Sequence, residues 1–130
     1  MSRSDAEVPK KVFIIDDADF MVDMLRMIVR DAGHEVAGTA LNGVKALDAI
    51  KNLSADVLPD VVTVDFHMPK MDGMETIRKV RALVPGVKII LISAHATLPV
   101  VMKAREAAVD AFITKPFTPE LFCETLDKLA

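Results

Sequence analysis

The 130-residue chain has a single cysteine, Cys123, and neither tryptophan nor tyrosine; phenylalanine supplies all the aromatic bulk. One cysteine excludes an internal disulfide framework and leads us to expect a reducing, cytoplasmic setting. Positive charge is not in excess, since 16 Lys and Arg stand against 19 Asp and Glu for a formal net charge of -3. With no basic run, nothing marks a nucleic-acid or membrane-surface footprint. No apolar stretch approaches the roughly 18 residues that a membrane span requires. Residues 1–10 carry no apolar core of a secretory signal and read as an N-terminal extension. The whole chain is 52% apolar and 27% charged, a balance that suits one compact domain, which we place over residues 11–130.

Along that domain, apolar runs alternate with amphipathic segments, the pattern of a parallel sheet with crossover helices. Val12–Ile15 reads as a first strand ending at Asp16 and Asp17, and a helix from about Asp19 stops at Gly33. Glu35–Ala40 is a weaker strand, after which Asn42 caps a helix running to about Asn52. Val61–Val64 ends at Asp65, and Asp72 caps the next helix, with Glu75 placed for a capping box. Val87–Ile92 ends at Ser93, a helix spans about 97–108, and Ala111–Thr114 ends at Lys115. Thr118, Pro119 and Glu120 open a last helix with a capping hydroxyl, a proline and an acid.

Right-handed crossovers place five such strands in one open, doubly wound sheet, whose ligands bind beyond the carboxyl ends of the strands. The residues at those ends are Asp16, Asp17, Asp65, Ser93 and Lys115. Three carboxylates brought together repel one another unless a cation joins them. Mg2+ suits the set, because it takes one or two carboxylates, waters and a phosphate oxygen. An aspartate beside Mg2+ can act as nucleophile towards phosphorus, with Lys115 and Ser93 neutralising and hydrogen-bonding the phosphoryl oxygens. Each residue alone is ordinary, a solvated turn or loop punctuation; their order, each at a strand end, carries the reading.

In Ile15-Asp16-Asp17, the run Asp65 to Gly73 (DFHMPKMDG), Ile92-Ser93-Ala94 and Lys115-Pro116-Phe117, the chain resembles the response-regulator receiver family, most closely its stand-alone chemotaxis-type members. The resemblance covers residues 11–130 and implies a (βα)5 flavodoxin-like fold with strand order 2-1-3-4-5. It implies that Asp65 accepts the phosphoryl group, that Asp17 ligates Mg2+ directly, that Asp16 holds metal-bound water, and that the His67 backbone carbonyl completes the protein ligands. Ser93 then resembles the hydroxyl switch residue and Lys115 the phosphate-pairing lysine, with a cis peptide before Pro116. Phe112 falls where many receivers carry a switching aromatic.

Three departures follow. Phe112 has no hydroxyl to bond. Ala108 stands where a glycine often ends the fourth helix, and a left-handed backbone there costs alanine on the order of 1 kcal/mol, enough to loosen or reshape that helix end. His67 and His95 occupy the positions two after Asp65 and two after Ser93 that flank the phosphoryl group in relatives, so the two rings are expected to tune hydrolysis; a zinc site is the weaker alternative. His34, before the second strand, reads as an exposed turn residue.

Partners follow in the same way. Eight of ten positions from Phe20 to Val29 are apolar, broken only by Asp23 and Arg26. This arc is wider than one core face requires, so Phe20, Met24 or Met27 is either extra core or a docking surface beside the acidic pocket. The resemblance implies a sensor histidine kinase or histidine phosphotransfer domain as donor. It also implies an output face on the fourth helix, fifth strand and fifth helix (Lys103, Glu106, Phe112, Leu121, Phe122), a monomer or weak dimer, and no separate enzyme activity. No output module follows Ala130, so we expect a protein target or onward phosphotransfer, with a phosphate sink or relay as the alternative. A phosphatase would have a second acid where His67 stands, a flavin site would need a phosphate-cradling loop after the first strand, and a bare scaffold would not keep all five site residues.

Overall fold

The computed structural model describes residues 8–68 and 70–129. Residues 1–7 of the expected extension, Pro69 of the motif after Asp65, and Ala130 lie outside the described residues. Strands β1 (Lys11–Ile15), β2 (Glu35–Ala40), β3 (Val61–Asp65), β4 (Lys88–Ser93) and β5 (Ala111–Thr114) alternate with helices α1 (Asp19–Asp31), α2 (Gly43–Lys51), α3 (Gly73–Leu83), α4 (Leu98–Glu106) and α5 (Pro119–Lys128). A short 3-10 turn at Ala55–Val57, not foreseen in the sequence, precedes β3. All pairs are parallel and the strand order is β2-β1-β3-β4-β5, the flavodoxin-like arrangement.

The two-residue period of the strands sends side chains to two cores. Phe13, Ile15, Val62, Val64, Ile89 and Leu91 pack on the face that Leu47, Ile50, Ile77 and Val80 cover. Val12, Ile14, Val61, Ile90 and Ile92 pack beneath Leu25, Val29, Phe122 and Leu126. Both faces are therefore covered, which is why the strands read as continuous apolar runs.

The expected caps form: Asn42 accepts from Lys45 N at 2.9 Å, Asp72 from Glu75 N at 2.8 Å, and Thr118 from Leu121 N at 3.1 Å. Glu75 turns its carboxylate forward to Lys79, 3.2 Å away, so the bond observed at this cap is the one Asp72 accepts. At the end of α1, Gly33 has φ 86, and its N–H and that of His34 bond back to Arg30 and Val29. This left-handed closure ends the helix where the glycine stands.

His34 corrects the expectation of an exposed turn residue. Its side chain is fully buried, its Nδ1 accepts from Lys10 N at 2.8 Å, and its Nε2 lies 3.3 Å from Asp127. The Gly33 turn folds the ring under α5 and beside the chain entering β1, a placement set by partners 24 and 93 positions away.

Thr63, in the central strand, is buried, and its hydroxyl is the one buried side-chain group without a hydrogen-bond partner among the described residues. A hydroxyl desolvated without compensation is unfavourable by about 1–3 kcal/mol. Thr63→Val, which keeps the branched shape, is expected to stabilise the protein by about 1 kcal/mol or more, read as a higher midpoint in urea with unchanged slope. An unchanged or lower midpoint would mean that the hydroxyl is satisfied.

Candidate functional site

Strand register builds the site. Ile15 lies beside Val64, Asp65 beside Ile92, and Ser93 beside Thr114, so β1, β3, β4 and β5 end at one edge. Backbone bonds hold the exits in place: Asp16 N to Ala40 O, Phe66 N to Ile92 O and Lys115 N to Ser93 O. Asp16 is buried just past β1, and one of its oxygens accepts from Ala18 N at 3.0 Å, folding the β1–α1 loop around it. The other oxygen accepts from Lys115 Nζ at 3.0 Å. Lys115 Nζ also lies 3.7 Å from Asp65, which ends β3 with only 5% of its surface exposed. Asp17 is exposed at the mouth.

Asp16, Asp17 and Asp65 each offer an oxygen within 4.8 Å of the others. One ammonium faces three carboxyl groups, and the mismatch falls on Asp65. Its pKa is pushed up from 3.8 to about 7, first by burial, then by the charge of Asp16, with Lys115 pulling down; a hydrogen bond with Asp17 and the Asp17 charge raise it further. A buried acid poised in this way beside two others is a set of hard oxygen donors suited to a divalent cation.

Gly73 is part of the site in a manner that motif reading missed. A Cβ there would come within 3.0 Å of the Asp65 carbonyl oxygen and 3.1 Å of Phe66. A side chain there would force that backbone to give by a few tenths of an ångström, so glycine lets α3 begin close behind β3, and its N–H bonds Phe66 O at 3.2 Å. The available signal was Asp72-Gly73 at a helix start: a cap followed by a residue with no side chain.

The remaining expected residues sit around this centre. Ser93 is buried, and its hydroxyl is engaged with its own loop, donating to His95 O at 2.8 Å and accepting from His95 N at 3.1 Å. Phe112 is half-buried on the same sheet face as Ser93, against the core that Ala104 of α4 joins. The Lys115–Pro116 peptide is cis, as expected. His67 and His95 stand edge to face with centroids 6.0 Å apart, and Phe66 backs His67 at 4.6 Å. A cleft of about 500 Å3 opens beside Asp17, walled by Phe66, His67, Met68 and Met74 and bounded by Lys103. On α1, Met21, Val22, Leu25, Ile28 and Val29 are buried, whereas Phe20 and Met27 are 72% and 64% exposed. Part of the apolar arc therefore faces solvent.

Comparison with known proteins places this geometry in company. Residues 12–127 match the response regulator receiver domain. The chain is similar to chemotaxis protein CheY of Thermotoga maritima, 42% identical with 93% of this chain and 98% of that protein aligned. It is 40% identical to CheY of Listeria monocytogenes, over 92% of this chain and 98% of the relative. Among solved structures it is similar to a chain of the Borrelia burgdorferi CheX–CheY–BeF3–Mg2+ complex, with TM-score 0.83, 29% identity and coverage of 96% and 92%.

The raised Asp65 pKa has a consequence for stability. The group favours the folded state fully below its unfolded value near 3.8, and that contribution is lost as pH rises through about 7. Divalent-free protein is therefore expected to melt at progressively lower temperature from pH 5 to pH 8. Asp65→Asn should flatten the trend and melt higher than wild type at pH 8, and equal pH slopes for the two proteins would refute the assignment.

Proposed function

The chain belongs to the response regulator receiver family, and from that membership we propose that Asp65 is its phosphoacceptor and that Asp16, Asp17, Asp65 and the His67 carbonyl hold Mg2+. The observation carrying this reading is the cluster of three carboxyl groups at the sheet edge, Asp16 and Asp65 buried and Asp17 exposed, with Lys115 paired to the buried two. When bound, Mg2+ supplies positive charge that keeps the Asp65 carboxylate ionised and offsets charge on the phosphoryl oxygens.

The residues of the chain do the rest. An Asp65 oxygen attacks phosphorus and the bond to the donor's leaving atom breaks, giving an acyl phosphate. Lys115, already 3.7 Å from Asp65, pairs with the new phosphoryl oxygens. Ser93 can exchange its bonds to the His95 backbone for a phosphoryl oxygen, which would release the loop that leads into α4. Phe112, on the same face, can then fill space behind Ser93 by packing alone, since it has no hydroxyl. His67 and His95 stand at the mouth and limit water's approach to the phosphoryl group, tuning its lifetime.

Residues 11–130 form the receiver unit in this reading, and residues 1–10 an extension. Receivers of this kind are generally signal transducers rather than enzymes, and here too the chemistry is confined to gaining and losing one phosphoryl group. A sensor histidine kinase or histidine phosphotransfer domain supplies it, docking on α1 at Phe20, which is exposed in the first turn of that helix, three residues after Asp17. The α4–β5–α5 face passes the state to a protein target, in a chemotaxis pathway by analogy with the named relatives. No described helix is long and apolar enough to cross a membrane, and we infer a cytoplasmic monomer or weak dimer.

Intact mass spectrometry after acetyl phosphate and Mg2+ is expected to show one phosphoryl adduct on wild type and none on Asp65→Asn. An adduct on both proteins would move the acceptor elsewhere, and none on either would end the phosphorylation reading. In the same assay, His67→Ala and His95→Ala should lose the adduct at altered rates; wild-type rates in both would dispose of the gating role. Phe20→Ala should weaken binding to the phosphodonor protein by about fivefold, the effect of roughly 1 kcal/mol at an interface anchor. Equal affinity would exclude Phe20 from the contact.

A further inference from the structure

Helix α4 is lightly held. It buries only Val100 and Ala104, smaller anchors than the Phe122 and Leu126 of α5, while Leu98 and Met102 are largely exposed. It does not close against α3: an open groove of about 730 Å3 lies between them, lined by Met74, Ile77, Arg78, Lys103 and Glu106. A helix with so few buried contacts belongs to the low-stability end of a fold.

One side chain reaches across. Arg81, in the last turn of α3, donates from its two terminal nitrogens to the carbonyls of Ala107 and Ala108, the second at 2.7 Å. Those carbonyls end α4, where the helix dipole is negative and where cations are favoured. Ala108 has φ 53, the left-handed conformation for which glycine is the usual residue, and the chain closes there with Val109 N bonded to Ala104 O and Ala108 N to Arg105 O. The expected loosening at Ala108 is thus answered from another helix. Among the described residues the carboxylate paired with the guanidinium is Asp110, at a loose 3.9 Å and itself accepting from Ile89 N at 2.7 Å, so the carbonyls are the principal partners.

The two ends of α4 report to the site by separate routes. Its N-terminal end follows directly from the loop that Ser93 holds through His95. Its C-terminal end is tied to α3, which starts at Gly73 against the Asp65 carbonyl. We infer that Arg81 is a positioning residue, a tether that holds the C-terminal end of α4 in the arrangement belonging to unmodified Asp65, and so sets how strongly the phosphoryl state is coupled to the exposed α4 face. This rests on the phosphoacceptor reading for its coupling half, while the tether stands on geometry alone. Because coupling is reciprocal, releasing α4 favours the modified state of Asp65.

The test uses the full chain as wild type, Arg81→Ala, Arg81→Lys, and Arg81→Ala combined with Ala108→Gly, with Mg2+ and beryllium fluoride as the phosphoryl mimic. In hydrogen exchange without the mimic, Arg81→Ala should speed exchange of amides 103–109 by about tenfold or more while sheet amides keep their protection. Arg81→Lys, with one ammonium in place of a fork, should recover part of it. Arg81→Ala should also bind the mimic about fivefold more tightly than wild type. The double variant separates a tether from a local cap: glycine relieves the left-handed strain at the helix end without reconnecting it to α3, so protection partly returns while the tighter binding persists. Unchanged exchange in Arg81→Ala, unchanged or weaker mimic binding, or a return to wild-type affinity in the double variant would each overturn the inference. If wild type binds no mimic at all, the phosphoacceptor reading fails and the coupling half falls with it, while the exchange experiment still decides the tether.

Discussion

Three carboxyl groups that would spread apart in water are instead gathered at one end of a sheet. Asp16 and Asp65 are buried there, with Lys115 as the one cation paired with them among the described residues. Burial disfavours the charged form and like charges compound the effect, which is why the Asp65 pKa is pushed up to about 7. The strain is electrostatic rather than steric, and a divalent ion or a proton can relieve it. A site in that condition responds to small changes of charge, and a phosphoryl group is a large one.

The fold's part is to make the crowding unavoidable. Right-handed crossovers and two apolar cores fix the strands in parallel register, so that β1, β3, β4 and β5 deliver their last residues to one edge. Sequence-local devices then aim the pieces: the Asp16 bond to Ala18 N turns the first loop, and the missing side chain of Gly73 lets α3 start directly behind Asp65. Rigid strands under a charged edge hold Asp65 in place, and the loops above it carry the remaining groups of the site.

What lies beyond the edge is less firmly built. Ser93 spends its hydroxyl on the His95 backbone, and α4, which follows, is anchored by two buried side chains and by Arg81. A weakly packed helix joined at one end to the site's hydroxyl and at the other to the acceptor's neighbouring helix is an element whose position two distant groups can bias. The exposed apolar residues of α4 and of α1 lie on separate helices, which suits a protein that meets a donor and a target by different surfaces.

Read residue by residue, most of the architecture was already written locally. Continuous apolar runs, the caps at Asn42, Asp72 and Thr118, and the terminator Gly33 act within a few positions, so they locate strands and helices without knowledge of the rest. The order of Asp16, Asp17, Asp65, Ser93 and Lys115 at strand ends made the candidate site legible for the same reason. The rest depended on partners far along the chain: the burial of His34 under Asp127, the closing of α4 by Arg81 across 26 and 27 positions, the room that Gly73 leaves for Asp65, and the choice of which α1 residues face water. Local pattern reports which backbone conformation a segment prefers; which distant groups then meet, and how much water is left between them, is decided only when the two cores close.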